Sequence, residues 1–332
     1  MQICPKECIR MEEDTEGFLY PVIDEEKCIH CGLCERVCPV INRKQKTYEE
    51  HVYAASSTDE TLLKRSSSGG MFGVLADYIL KQGGVIFGCA FDEEMELRHY
   101  SAQTEEEYRA FHGSKYVQSN TRNTFQECKE YLQAGRYVLY VGTPCQIAGL
   151  KSFLQKEYDN LLAVELLCHG VPSPGLFRYY LKELEAEKGK KICNVAFRFQ
   201  DQGWKIFRFK IDFEDGEKEV YPGVQNAFMR AFLNNLTLRP SCYNCRFRLN
   251  YSQADVMIGD FWGVGNYYKN FDETLGASVF IALSKKGERT FEAVKEKLQY
   301  LETDWSKVLP ANGCVNLSVF PNRNREAMMQ AY

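Results

Sequence analysis

Between Cys28 and Pro39 the chain reads Cys28-Ile29-His30-Cys31-Gly32-Leu33-Cys34-Glu35-Arg36-Val37-Cys38-Pro39, the spacing C-x2-C-x2-C-x3-C-P. Three thiolates at this spacing wrap one face of an iron-sulfur cubane, and in two-cluster ferredoxins the fourth, before the proline, ligates the other cluster. A zinc site is the competing reading, but zinc modules set two ligand pairs apart in sequence. Few other strings constrain a fold so tightly, because metal bonds dictate where the backbone must turn.

Cys4-Pro5 reads as the end of a preceding half-module, which makes Cys4, Cys28, Cys31 and Cys34 the expected ligands of one 4Fe-4S cluster. Cys38 then points to a further cluster whose remaining ligands would precede residue 1. A true start upstream of Met1 is the expectation, and loss of that cluster with Cys38 a free thiol is the alternative. Cys8 has no place in the pattern and is expected to be a small, half-buried apolar residue. Gly17-Phe18-Leu19-Tyr20-Pro21-Val22 suggests a strand pair joining two cluster loops. The polar stretch Asn42 to Glu50 marks a boundary, so the expected division is a ferredoxin-type module at 1–44 and a large domain at 50–332, split near residue 128.

The chain holds 14 cysteines in 332 residues with no signal peptide and no run of about eighteen apolar residues. That predicts a cytoplasmic protein without a membrane span, whose thiols stay reduced and serve as metal ligands. The net charge of -4 argues against a nucleic-acid partner, and Lys188-Gly189-Lys190-Lys191 reads as a solvated helix end.

Beyond residue 50, strands and helices alternate. Val52 to Ser56 is an expected strand, and Ser66-Ser67-Ser68-Gly69-Gly70 precedes a helix over 71–80. Such a start is either an anion seat or simple N-capping by serine, and spacing favours capping. Gly84 to Phe91 reads as a strand, Thr104-Glu105-Glu106-Glu107 as a capping box, and Lys115 as a loop cation able to hold an anion. Arg136 to Val141, Pro144 to Leu154, Leu161 to Leu167 and Pro174 to Glu187 form a βαβα unit. Parallel strands in such a unit bring Cys145 and Cys168 to one sheet edge, where open α/β folds keep their sites. Cys242-Tyr243-Asn244-Cys245 lacks a second pair nearby in sequence, so Cys145, Cys168, Cys242 and Cys245 are the expected ligands of a second 4Fe-4S cluster. His169 is a substitute ligand or a turn cap. Cys89, Cys128, Cys193 and Cys314 read as buried small apolar residues. Val195 to Phe199, Phe207 to Phe213 and Ala254 to Asp260 look like short strands, some antiparallel, and Phe261 to Asn266 is an aromatic, glycine-rich loop placed to cover a planar cofactor or close a core edge.

Ser67-Ser68-Gly69-Gly70, Gly113-Ser114-Lys115-Tyr116-Val117, Gly142-Thr143-Pro144-Cys145-Gln146, Cys168-His169-Gly170, the Cys242/Cys245 pair and Ala254-Asp255-Val256 with Gly259-Asp260 together resemble the coenzyme F420 hydrogenase/dehydrogenase beta-subunit family over nearly the whole chain. The resemblance implies FAD and a 4Fe-4S cluster in the large domain, hydride exchange with the deazaflavin F420 in some members, and a flavin pocket lined by Ser68, Gly69, Gly70 and Lys115. It does not fix the acceptor.

The expected fold is α+β: a ferredoxin-like cluster module followed by a mixed α/β flavin-type domain with a parallel βαβ core and added antiparallel strands. The expected function is an iron-sulfur flavoprotein oxidoreductase, because clusters move one electron, organic acceptors change by two, and flavin does both. Ferredoxin or a partner redox subunit and a small-molecule acceptor are the expected partners. A non-catalytic electron-relay subunit and a zinc-stabilised module are the alternatives.

Overall fold

The computed structural model describes residues 2–332. Its centre is an eight-stranded sheet, and numbering strands in chain order its members are β3 (His51–Ser57), β4 (Val85–Phe91), β5 (Leu97–Ala102), β6 (Val138–Gly142), β7 (Leu161–Leu166), β11 (Val256–Asp260), β12 (Ser278–Ala282) and β13 (Leu298–Thr303). The order is β13-β3-β12-β11-β7-β6-β4-β5. The four strands β4, β6, β7 and β11 run parallel, and antiparallel strands close both sides. Strands buried on both faces are mostly apolar: Val138, Leu139, Tyr140, Leu161, Ala163 and Val164 are all essentially inaccessible. One face packs beneath the helices Thr124–Gln133 and Pro144–Leu154, the other beneath Met71–Leu80 and Lys285–Val294.

The βαβα unit forms as its sequence predicts, with helices over Pro144–Leu154 and Pro174–Lys188. Pro144 and Pro174 each occupy the first helical turn, where no backbone N–H is needed. The strand expected within Ala254 to Asp260 is β11, which joins the main sheet parallel to β7 and antiparallel to β12. A separate antiparallel sheet, β8 (Ile192–Phe199), β9 (Arg208–Phe213) and β10 (Lys218–Pro222), builds its own core around Phe197, Phe209 and Phe228.

At the N-terminus β1 (Ile9–Glu13) and β2 (Leu19–Ile23) pair as a hairpin. Its turn lies against the start of Pro174–Lys188. Gly17 has a left-handed backbone (φ 76°), and a Cβ on it would come within 2.6 Å of the Gly175 Cα. The Gly175 N–H donates to the Gly17 carbonyl (3.1 Å), and Phe18 is fully buried against Leu176 and Met329. Arg325 grips both carboxylate oxygens of Glu16, at 2.9 and 2.5 Å. Among the described residues, no helix is long and apolar enough to cross a membrane.

Candidate redox site

Cys145 lies in the first turn of the helix that follows β6 and Cys168 in the loop that leaves β7, and the structure brings both to the Cys242/Cys245 knuckle. Burial pushes the Cys168 thiol well above its ordinary value, and negative charge on Cys145, Cys242 and Cys245 would push it further. Burial likewise pushes Cys242 up to about 11, with Cys145 and Cys245 adding to it. Thiolates gathered this closely would repel one another, so a metal cation is what can hold such a set deprotonated together. A donor set of four cysteines suits an iron-sulfur cluster or zinc.

The backbone around these thiols is fixed by several contacts. Thr143 and Gln146 cap the helix Pro144–Leu154 reciprocally, and the Thr143 hydroxyl lies 3.2 Å from the Cys145 sulfur. Arg248 Nη1 donates to the carbonyls of Cys168 (2.6 Å) and Cys314 (2.5 Å). The Cys245 N–H donates to the Ser318 hydroxyl (2.9 Å), and the Cys242 N–H to the Arg239 carbonyl (2.8 Å). Arg248 also counters negative charge on Cys168 and Cys242. Sequence reasoning misses Arg248, since a single arginine carries no spacing signal. His169 stands on the wall of the neighbouring cavity, 2.7 Å from Asn235 Oδ1, which fixes the ring.

That cavity, about 540 Å³, runs over the carboxyl ends of the parallel strands. Ser67, Ser68 and Gly70 line one part of it and Cys168, His169 and Cys314 another. Serine capping of the helix Met71–Leu80, the favoured expectation, is corrected. The N-cap is Gly70 in a left-handed conformation, with no side-chain cap among the described residues. The serines turn elsewhere: Ser67 pairs with Ser114 at 2.8 Å, and the Ser68 hydroxyl reaches the Ala277 carbonyl and the Ser278 hydroxyl. Gly70, Met71 and Phe72 line the cavity, so the first helical turn presents its N–H end there. Gly69 is held below the surface, donating its N–H to Ser278 Oγ, with no room for a Cβ, which would stand 2.5 Å from the Ala55 carbonyl oxygen.

Lys115 also lines the cavity, but its ammonium donates to the carbonyls of Phe111, His112 and Gly113. An ammonium has three N–H donors, so these bonds occupy all of them. Its role as placed is to shape the loop, and burial lowers its proton affinity. Opposite, Trp262 stacks on Trp204 with centroids 4.6 Å apart and planes 6° off parallel. Arg198 lies over the Trp262 ring and pairs with Asp260 at 2.9 Å. The aromatic loop is therefore both cavity wall and core edge, since Phe261 is fully buried.

In the N-terminal segment, His30 and Gly32 both have positive φ, 51° and 68°. Two left-handed residues two positions apart turn the backbone sharply within the cysteine run. Cys34 lies in the single turn Leu33–Arg36, and Cys28 approaches His30 Nδ1 at 4.0 Å. The Asn42 side chain closes the run after Cys38 by donating to the carbonyls of Glu35 and Arg36. Cys8 is fully buried rather than half-buried, and its sulfur lies 3.3 Å from that of Cys4. Of the cysteines expected to be buried fillers, Cys128 is one, Cys89 and Cys314 are half-buried cavity residues, and Cys193 is exposed because it lies on the open face of β8.

Residues 1–42 match the model of the 4Fe-4S dicluster domain. Over 312 residues the chain is 24% identical to the coenzyme F420-dependent sulfite reductase of Methanocaldococcus jannaschii, covering 89% of this chain and 45% of that protein. Over 40 residues it is 45% identical to a 7Fe ferredoxin of Hydrogenibacillus schlegelii, covering 12% of this chain and 45% of the ferredoxin. The matches thus take in less than half the length of either curated relative. A solved chain of the F420-reducing NiFe hydrogenase complex from Methanosarcina barkeri shares the fold, with a TM-score of 0.50 at 19% identity, covering 87% of this chain and 91% of that one. The family model for the carboxy-terminal part of the coenzyme F420 hydrogenase/dehydrogenase beta subunit matches residues 135–307, more than half of the chain, and the protein belongs to that family.

Proposed function

We propose that the protein is an iron-sulfur flavoprotein oxidoreductase. Cys4, Cys28, Cys31 and Cys34 hold one 4Fe-4S cluster in a module spanning 1–44, Cys38 serves a neighbouring cluster, and Cys145, Cys168, Cys242 and Cys245 hold another. FAD occupies the large cavity, and the two-electron acceptor is deazaflavin F420 or a molecule of similar chemistry. One observation carries the reading: a single cavity has Gly70 and the helix Met71–Leu80 on one side and Cys168 on another. A bound flavin supplies conversion between one-electron and two-electron chemistry.

The protein's own residues do the rest. The first turn of Met71–Leu80 offers N–H groups and the positive end of its dipole to a phosphate. Trp262 offers a flat wall for a planar ring, and the Arg198–Asp260 pair sets fixed charge beside it. Arg248 and the Thr143 hydroxyl tune the cysteine site, since hydrogen bonds and charge near the sulfurs govern cluster potential.

Anaerobically prepared protein is expected to be brown and to release FAD on denaturation. Cys245→Ser should lower iron by about one cluster and leave the N-terminal signal intact; unchanged iron refutes the second-cluster assignment. Which reductant bleaches the flavin, reduced ferredoxin, NADH or reduced F420, identifies the partner. The relay reading, in which a partner subunit holds the catalytic site, draws on the likeness to a chain of the F420-reducing NiFe hydrogenase complex. It predicts iron without flavin.

A further inference from the structure

Glu165 is an ionisable residue that the electron path described above does not use. It is fully buried, and neither carboxylate oxygen has a hydrogen-bond partner among the described residues. A carboxyl group in such a place destabilises the fold relative to an apolar side chain, more so when ionised. No packing requirement explains it.

Its position in the sheet does. Glu165 stands one residue before the end of β7, opposite Gly142, the last residue of β6. Cys168 follows Glu165 by three residues and Cys145 follows Gly142 by three. Three residues of chain span at most about 10 Å. The backbone of Glu165 therefore stands within about 10 Å of that of Cys168, at the same strand ends that lead to Cys145, a range over which charge acts across a low-dielectric interior. On its other flank Glu165 pairs in register with Met257, which brings no charge. Besides burial, two groups act on it: the Ser252 hydroxyl, which lies short of hydrogen-bond geometry, and the ammonium of Lys46, both favouring the ionised form. Lys46 itself pairs with Glu50, and both side chains are mostly covered. On the cysteine side Arg248 is held against the Cys168 carbonyl.

We infer that Glu165 is the proton partner of the Cys145/Cys168/Cys242/Cys245 centre, binding one proton from solvent as one electron arrives and releasing it as the electron leaves. The electron comes from a one-electron donor of low potential, a reduced ferredoxin or dithionite, which is oxidised in the step. The inference rests on the reading of those four cysteines as a cluster site. Lys46 and Ser252 favour the ionised carboxylate and burial opposes it, leaving the group near 8. A negative charge added nearby raises its proton affinity, so the two events are coupled. The coupling holds down charge build-up in the core on reduction.

The test is a potentiometric titration of the full chain, followed by the spectrum of reduced iron, at a series of pH values. The signal of the second centre is the part that Cys245→Ser removes. In the wild type its midpoint potential should fall as pH rises through the neutral to alkaline range. For one proton per electron, each tenfold change in proton concentration corresponds to about 59 mV. Glu165→Gln should load the same iron and give a midpoint independent of pH. Equal slopes in the two proteins overturn the inference. If Glu165→Gln fails to fold, the infrared difference spectrum of the wild type decides. Reduction above pH 8 should create a protonated-carboxyl band that shifts in Ser252→Ala, and absence of such a band overturns the inference. Iron unchanged by Cys245→Ser would refute the cluster reading instead, so the two failures are distinct.

Discussion

Glu165 also makes a stability prediction with a definite sign. In the unfolded chain its carboxyl group ionises near the ordinary 4.5, whereas burial holds it near 8 in the folded one. Between these values the folded state binds the extra proton, so stability contributed by the protonated group falls as pH rises. Glu165→Gln should therefore gain stability relative to wild type between about pH 5 and pH 8, with a constant difference outside that window. Thermal unfolding of both proteins across that range measures it, and parallel curves would contradict the assigned environment. Gly69 gives a steric counterpart. Adding a Cβ 2.5 Å from the Ala55 carbonyl oxygen forces β3 or β12 to move. Gly69→Ala should lose about 1 to 3 kcal/mol by denaturant unfolding, as overpacked cores do.

At the level of elements, the turn of the β1–β2 hairpin is a docking device. Gly17 and Gly175 approach so closely that neither tolerates a side chain, and Arg325 anchors Glu16 beside them. A charge-assisted, bidentate pair of this kind is stronger than an ordinary hydrogen bond. Gly17→Ala should prise the hairpin from the start of Pro174–Lys188, seen as faster proteolysis within residues 1–44 while the eight-stranded sheet keeps its unfolding midpoint. Equal cleavage rates would mean that the hairpin is held by other contacts. The helix Met71–Leu80 teaches a different lesson about elements. Three serines precede it, yet its cap is Gly70: the Ser66 hydroxyl donates to the Leu62 carbonyl, and those of Ser67 and Ser68 tie the loop to Ser114, Ala277 and Ser278.

For the whole molecule, the proposed path has two ends that can be cut separately. Cys28→Ser should abolish the N-terminal cluster signal, and it should slow flavin reduction by a ferredoxin at least tenfold. Reduction by a hydride donor should be unaffected. Stopped-flow absorbance at the flavin band reads both, and equal slowing with both donors would refute separate entry points. The division reflects chemistry: single electrons need closely spaced clusters, whereas a hydride needs only access to the cavity.

The sequence by itself determined the cluster run, because ligand spacing is local and needs no fold to be read, and it determined β6, β7 and their helices, whose apolar periodicity and leading prolines are equally local. It also brought Cys145 and Cys168 to one sheet edge, since parallel strands joined by helices must end together. Only the tertiary structure decided that β11 sits beside β7, that Lys115 spends its ammonium on three carbonyls, and that Arg248 braces the Cys168 loop. It alone shows Glu165 buried without a partner. Each of these depends on contacts between residues tens to hundreds of positions apart, or on a hydrogen-bond geometry that residue type does not encode.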